Sequence, residues 1–227
     1  YWGNMPFTDF PNYMGIVILV LAAIGFANRR DLLMWFLLGT SILAIFISFG
    51  KNLRIIYDIF YSFFPYFNKF RVPAMILILV QFNTSIMAAI GLNYLLTLHK
   101  QVIPRWFWTC IGLLAFFLII LTFGQSFLQQ LVSSGFTPPR MQDPRTIQMI
   151  NALRWDMWYK DAWTILLILT VFFGLIWAFI NQKIAKNGFT FAVTLLALTD
   201  IGIVDRKIIQ PDKQSGRASQ LMSSSII

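Results

Sequence analysis

The sequence predicts an all-α fold, a polytopic transmembrane helical bundle of about six spans. Three observations carry that prediction. Hydrophobic residues make up 58% of the chain and charged residues only 12%, against about 25% charged in a soluble domain. The apolar residues gather into runs close to the roughly 20 residues that a bilayer needs. Basic residues mark the short turns between successive runs.

Residues 1–11 are polar and aromatic, with two prolines, and read as a surface lead-in. No Met and no signal-like segment precedes Tyr1, so the chain reads as part of a longer protein. The first two spans are expected at 12–27 and 32–49, joined by Asn28-Arg29-Arg30-Asp31. Between Leu53 and Phe64 the polar residues Arg54, Tyr57, Asp58, Tyr61 and Ser62 form one narrow helical stripe on an otherwise greasy segment. That pattern suits an interfacial amphipathic helix at 53–64. Pro65 stops it, and Pro73 opens a third span at 73–96. Within that span Gln81, Ser85, Ala88 and Leu92 share a face expected to meet another helix.

The fourth span is expected at 105–124, after Pro104. A long segment comes next, in which Asp143-Pro144 is a helix-start signature. Ile147, Ile150, Leu153 and Met157 then repeat at helical spacing, which predicts a second interfacial helix at 144–160. Asp156 and Lys160 are placed to pair across one turn. Spans five and six are expected at 162–180 and 189–204. Residues 1–207 read as a single membrane domain and 208–227 as a loose polar tail.

Net charge is +9, from 18 Lys and Arg against nine Asp and no Glu. The cations are scattered without a block of like charge, which argues against a nucleic-acid arm. One His and one Cys cannot make a metal site, and Cys110 alone excludes an internal disulfide. No cofactor motif is present in the sequence. The short turns hold Arg29, Arg30, Lys100, Arg105, Lys183 and Lys186 against Asp31 alone. The longer segments hold more cations in total but at lower density. Density in short loops is what the positive-inside rule measures, and it places the short turns in the cytoplasm and the long loops outside.

Candidate binding residues emerge from that placement. Lys51, Asn52, Lys69 and Arg71 flank the 53–64 helix at headgroup depth, and Arg54 lies in its first turn. Arginine offers a bidentate fork and lysine a point charge, both suited to a lipid phosphate. The competing reading is plain anchoring, with the cations snorkelling to headgroups. Arg154 has no acid at helical spacing before it and joins the phosphate-binding candidates. Asp200 lies within or just beyond the sixth run. It is either a partnered intramembrane group or wet because the span ends before it. Tyr1, Trp2, Trp155, Trp158 and Trp163 read as an interfacial belt rather than sugar-stacking platforms.

Several motifs resemble the YfhO family of bacterial multipass membrane proteins. They are Tyr1-Trp2-Gly3-x-x-Pro6-Phe7-Thr8, Tyr13-x-Gly15, Gly50-Lys51-Asn52 and Pro65-x-x-Asn68-Lys69-Phe70-Arg71. Lys160-Asp161-Ala162, Leu198-Thr199-Asp200 and Val204-Asp205-Arg206-Lys207 are similar to the family's later signatures. The resemblance implies a GT-C glycosyltransferase of the bacterial cytoplasmic membrane. Such an enzyme takes a sugar from a polyprenyl-phosphate carrier and gives it to a cell-envelope polymer or lipid. It implies that Lys51, Lys69 and Arg71 stabilise the departing carrier phosphate. The family's catalytic Asp lies in an outward loop upstream of the Tyr-Trp-Gly motif, so this chain is expected to lack it, and Asp9 does not take its place. The competing function is a non-catalytic membrane component, a lipid or polymer translocator or an assembly scaffold. Expected partners are membrane lipids and the carrier-linked sugar, not nucleic acid.

Overall fold

In hydrocarbon a backbone N–H or C=O has no partner except another backbone group, so a membrane chain of this composition is driven to helix. The computed structural model describes residues 13–49, 73–98, 103–126, 128–129 and 144–208. Within them every regular element is helical. The order is α1 (Ile16–Asn28), α2 (Leu32–Ser48), a 3-10 turn (Pro73–Ile76), α3 (Leu77–Thr97), α4 (Arg105–Phe123), α5 (Pro144–Ile180) and α6 (Lys186–Ile208). The expected helix at 53–64 and the tail at 208–227 lie outside the described residues, save for Ile208 at the end of α6.

Among the described residues four helical stretches are long and apolar enough to cross a bilayer: Leu77–Thr97, Arg105–Phe123, Trp155–Ile180 and Lys186–Arg206. The expectation of about six spans is corrected by length. α1 has 13 residues and α2 has 17, so they reach about 20 and 26 Å at 1.5 Å per residue, short of the roughly 30 Å hydrocarbon core. A second boundary also moves. The interfacial helix expected at 144–160 and the span at 162–180 are one continuous 37-residue helix. No Gly or Pro lies between Pro144 and Gly174 to break it, and Asp161 does not interrupt the ladder.

The chain divides into two compact units, and the division falls inside α3 and α6. One unit comprises Phe10–Tyr94 with Thr194–Ile227, and the other Tyr1–Asp9 with Leu95–Val193.

In the first of these, α1 buries Val17, Leu21 and Ile24, and α2 buries Met34, Leu37, Ser41, Ala44 and Ile47. Each set recurs at three or four residues, the spacing of one helical stripe. Asp31 caps α2, accepting from the Met34 N–H at 3.3 Å, and pairs with Arg29 at 2.9 Å. Helices α1 and α3 meet backbone to backbone. A Cβ on Gly25 would lie 2.5 Å from the Met87 carbonyl oxygen, and one on Gly91 would collide with the Leu21 carbonyl. Glycine at both positions is what allows this approach. The packed face of α3 is therefore Val80, Asn83, Met87 and Gly91. Of the face expected from Gln81, Ser85, Ala88 and Leu92, Ala88 is buried, Gln81 and Leu92 are half-buried and Ser85 is exposed.

In the second unit, α4 and α5 run antiparallel. Phe107 near the start of α4 packs edge-on against Phe173, with centroids 5.9 Å apart. At the far end the Tyr159 hydroxyl accepts from Gln125 Nε2 at 2.6 Å. Phe172, Ile176 and Phe179 are buried, and Phe179 stacks on Phe189 of α6 at 4.4 Å. Large apolar side chains stand exposed on both units, Phe123 at 87% and Leu32 at 86%. Lipid tails solvate such faces at no cost, whereas water would not.

Candidate functional site

Along the last turns of α6, Leu196, Ala197, Asp200, Ile203 and Val204 are buried or half-buried, and Leu195, Leu198, Thr199 and Gly202 are exposed. Asp200 thus sits on the inward stripe of a helix that continues eight residues past it. It is 1% exposed. The helix therefore does not end before Asp200, and the carboxyl is partnered and enclosed by protein.

Its partners come from the chain's beginning. The Tyr13 hydroxyl donates to Asp200 Oδ1 at 2.6 Å, and the Val17 N–H donates to Oδ2 at 3.3 Å. Val17 is in the first turn of α1, where N–H groups lack intrahelical acceptors. The residue at the capping position, Gly15, has no side chain to supply one. Asp200 supplies it from another helix. It also places an acceptor at the positive end of the α1 dipole. Gly15 is required twice over. Its φ of 85° is disfavoured for side-chain-bearing residues, and a Cβ there would sit 3.2 Å from Asp200 Oδ2. Met14 Sδ, between the two, lies 3.3 Å from Thr84 Oγ1 of α3.

A second buried polar contact joins α2 and α3. Asn83 Nδ2 donates to Thr40 Oγ1 at 2.8 Å, to Ser41 Oγ at 3.1 Å and to the Leu37 carbonyl at 3.3 Å. The Thr40 and Ser41 hydroxyls donate to helix carbonyls and so present lone pairs to the amide. The network holds two helices together.

The other unit carries an apolar groove of about 420 Å³ between Phe107 and Leu118 of α4 and between Leu166 and Trp177 of α5. Thr170 is the polar residue of its wall, and its hydroxyl donates to the Leu166 carbonyl at 2.7 Å. Near the start of the apolar part of α5, Trp155 stacks on Trp158 and on Tyr159, with centroids 5.3 and 5.8 Å apart. These rings are turned on one another. Lys160 and Asp156 pair at 2.6 Å on the exposed face, as their spacing predicts.

Of the residues proposed to hold the carrier phosphate, Lys51, Asn52, Lys69 and Arg71 lie outside the described residues. Arg154 is within α5, and its side chain is likewise outside the description. Asp200 is described, and its two oxygens accept from Tyr13 and Val17. Sequence reasoning missed Tyr13 and Asn83. The signal for Tyr13 was present: a helix opening on glycine needs a cap from elsewhere, and a lone carboxyl in an apolar run needs donors. Asn83 was hidden among neighbouring polar residues, with nothing local to say which faced inward. Among the described residues no group of His, Cys, Asp or Glu could hold a metal. Comparison with family models, with curated proteins and with solved structures gives no match to this chain.

Proposed function

We propose that this membrane protein is the membrane portion of a glycosyltransferase that uses a polyprenyl-phosphate-linked sugar. Its place is the bacterial cytoplasmic membrane, with the α3–α4 and α5–α6 turns inside and the 51–71 segment outside. Lys51, Asn52, Lys69, Arg71 and Arg154 bind the carrier phosphate. In the transfer an acceptor hydroxyl oxygen bonds to the anomeric carbon while the bond from that carbon to the carrier phosphate oxygen breaks. The electron pair leaves with the phosphate, and the hydroxyl proton passes to a base that the resemblance places upstream of this chain. Cations facing the phosphate stabilise the negative charge that grows on it.

The observation that supports the reading is the meeting of Tyr13-x-Gly15 with Leu198-Thr199-Asp200. These two motifs of the resemblance lie 187 residues apart and are joined by the Tyr13–Asp200 hydrogen bond. Residues that recur together in a family pattern are expected to meet in its fold.

The test is transfer of radiolabelled sugar by the full protein in proteoliposomes. Lys69→Ala and Arg71→Ala are expected to lower transfer about 100-fold or more, the usual effect of removing a charge-stabilising donor. Arg71→Lys should recover part of it, since the charge returns without the fork. Unchanged transfer by both alanine variants removes the phosphate site. Carrier binding without transfer by the wild type favours the translocator or scaffold.

A further inference from the structure

Helix α5 closes in a Schellman turn. The Lys183 N–H donates to the Ala178 carbonyl at 2.9 Å, and the Gln182 N–H to the Phe179 carbonyl at 3.0 Å. The left-handed residue of such a turn is usually glycine. Here it is Gln182, at φ 60°. The turn folds the chain back so that Lys183 Nζ lies 4.4 Å from the centre of the Trp177 ring. Trp177 is the last residue of α5 to line the apolar groove, and Phe107 the first of α4. Because the helices are antiparallel, both stand at one end of it. Arg105 opens α4 two residues before Phe107. Arg105 and Lys183 are exposed, and among the described residues no acid pairs with either.

We propose that this groove and Lys183 together bind one anionic glycerophospholipid, with an acyl chain along the groove and the phosphate against the ammonium. The wall selects the chain. Its one hydroxyl, that of Thr170, is already spent on the Leu166 carbonyl, which leaves the Trp177 indole N–H at the groove's end as the other side-chain donor of the wall. The size suits a chain: from Phe107 to Leu118 the groove runs about 17 Å along α4, and its 420 Å³ takes an extended chain within it, whereas a helix about 10 Å across could only lie over it. Charge selects the headgroup. A basic residue at the mouth of a groove between spans attracts a phosphate that carries net charge, and a zwitterionic lipid brings its own cation toward Lys183. The site involves none of the residues assigned to the carrier phosphate, so either reading can fail alone.

The experiment uses the full chain in nanodiscs with lipids brominated on the acyl chain, which quench nearby tryptophan. The Trp177 component is the difference between wild type and Trp177→Phe. Brominated phosphatidylglycerol is expected to occupy the site about fivefold more than brominated phosphatidylcholine, as one lysine near an anionic headgroup implies. Lys183→Gln should bring the two lipids to parity with the fold intact, since the side chain is exposed. Gly174→Leu, where a Cβ meets nothing within 4 Å, should fill the groove and weaken quenching by both. Equal quenching of the wild type by the two lipids overturns the proposal, as does a preference that survives Lys183→Gln. Shielding of Trp177 from both lipids, which would mean that protein covers the groove, overturns it as well.

Discussion

Asp200 is where the chemistry of single residues matters most. Asp200→Leu removes the cap of α1 and leaves the Tyr13 hydroxyl without its acceptor. A lost cap costs about 1 kcal/mol and a hydrogen bond to a carboxyl about 1.5–3, so a loss of about 2–4 kcal/mol is expected. Asp200→Asn keeps one acceptor oxygen and should lose about half as much. Tyr13→Phe removes that hydrogen bond alone, for about 1.5–3 kcal/mol. Thermal unfolding in detergent reads all three. A double-mutant cycle between Tyr13→Phe and Asp200→Leu should be strongly non-additive, because both variants break the same bond. Additivity there would show that the hydrogen bond contributes nothing. The sequence marked Asp200 as costly in hydrocarbon. It could not say whether the residue was dry, because that depends on whether α6 continues past it.

At the scale of helices, the Gly25–Gly91 crossing sets how closely α1 and α3 approach. Gly91→Ala drives a methyl group into the Leu21 carbonyl, and backbone must move to admit it. A loss of about 3 kcal/mol or more is expected, in the range of overpacking and beyond. Gly112 lies on an open face of α4, where a Cβ meets nothing within 4 Å. Gly112→Ala should stabilise by about 0.5–1 kcal/mol, since alanine restricts the unfolded chain and favours helix. Melting temperatures of the two variants should therefore move in opposite directions, and a shared direction would contradict the crossing. Most helix positions were legible from apolar runs and prolines. The ends were less so. The first span was expected to begin at residue 12, but Gly15 takes a non-helical conformation and α1 begins at Ile16. Asp161 separates the helix expected at 144–160 from the span expected at 162–180, yet it lies inside α5, where one carboxylate does not break a run free of Gly and Pro.

At the scale of the whole molecule, the proposed orientation uses the four helices that are long enough to span among the described residues. It puts the α3–α4 and α5–α6 connections on one face of the membrane, and Gln125 and Lys160 on the other. Single cysteines at Gln101 and Lys183, in a chain with Cys110 replaced by Ser, should both resist an impermeant maleimide in intact cells. Cysteines at Gln125 and Lys160 should react. The reverse pattern would place the basic turns outside and with them overturn the orientation of the proposed phosphate site.

The sequence by itself determined that this is a helical membrane protein. Composition decides that much, because apolar runs of this length leave the backbone only its own hydrogen bonds. Tertiary structure decided what the few polar groups do. Tyr13 and Asp200 are 187 positions apart, and Thr40 and Asn83 are 43. Helical periodicity shows which residues share a face, whereas the helix that covers that face is chosen by packing between distant parts of the chain. That choice turned a lone carboxyl into the cap of another helix, and two glycines into a crossing.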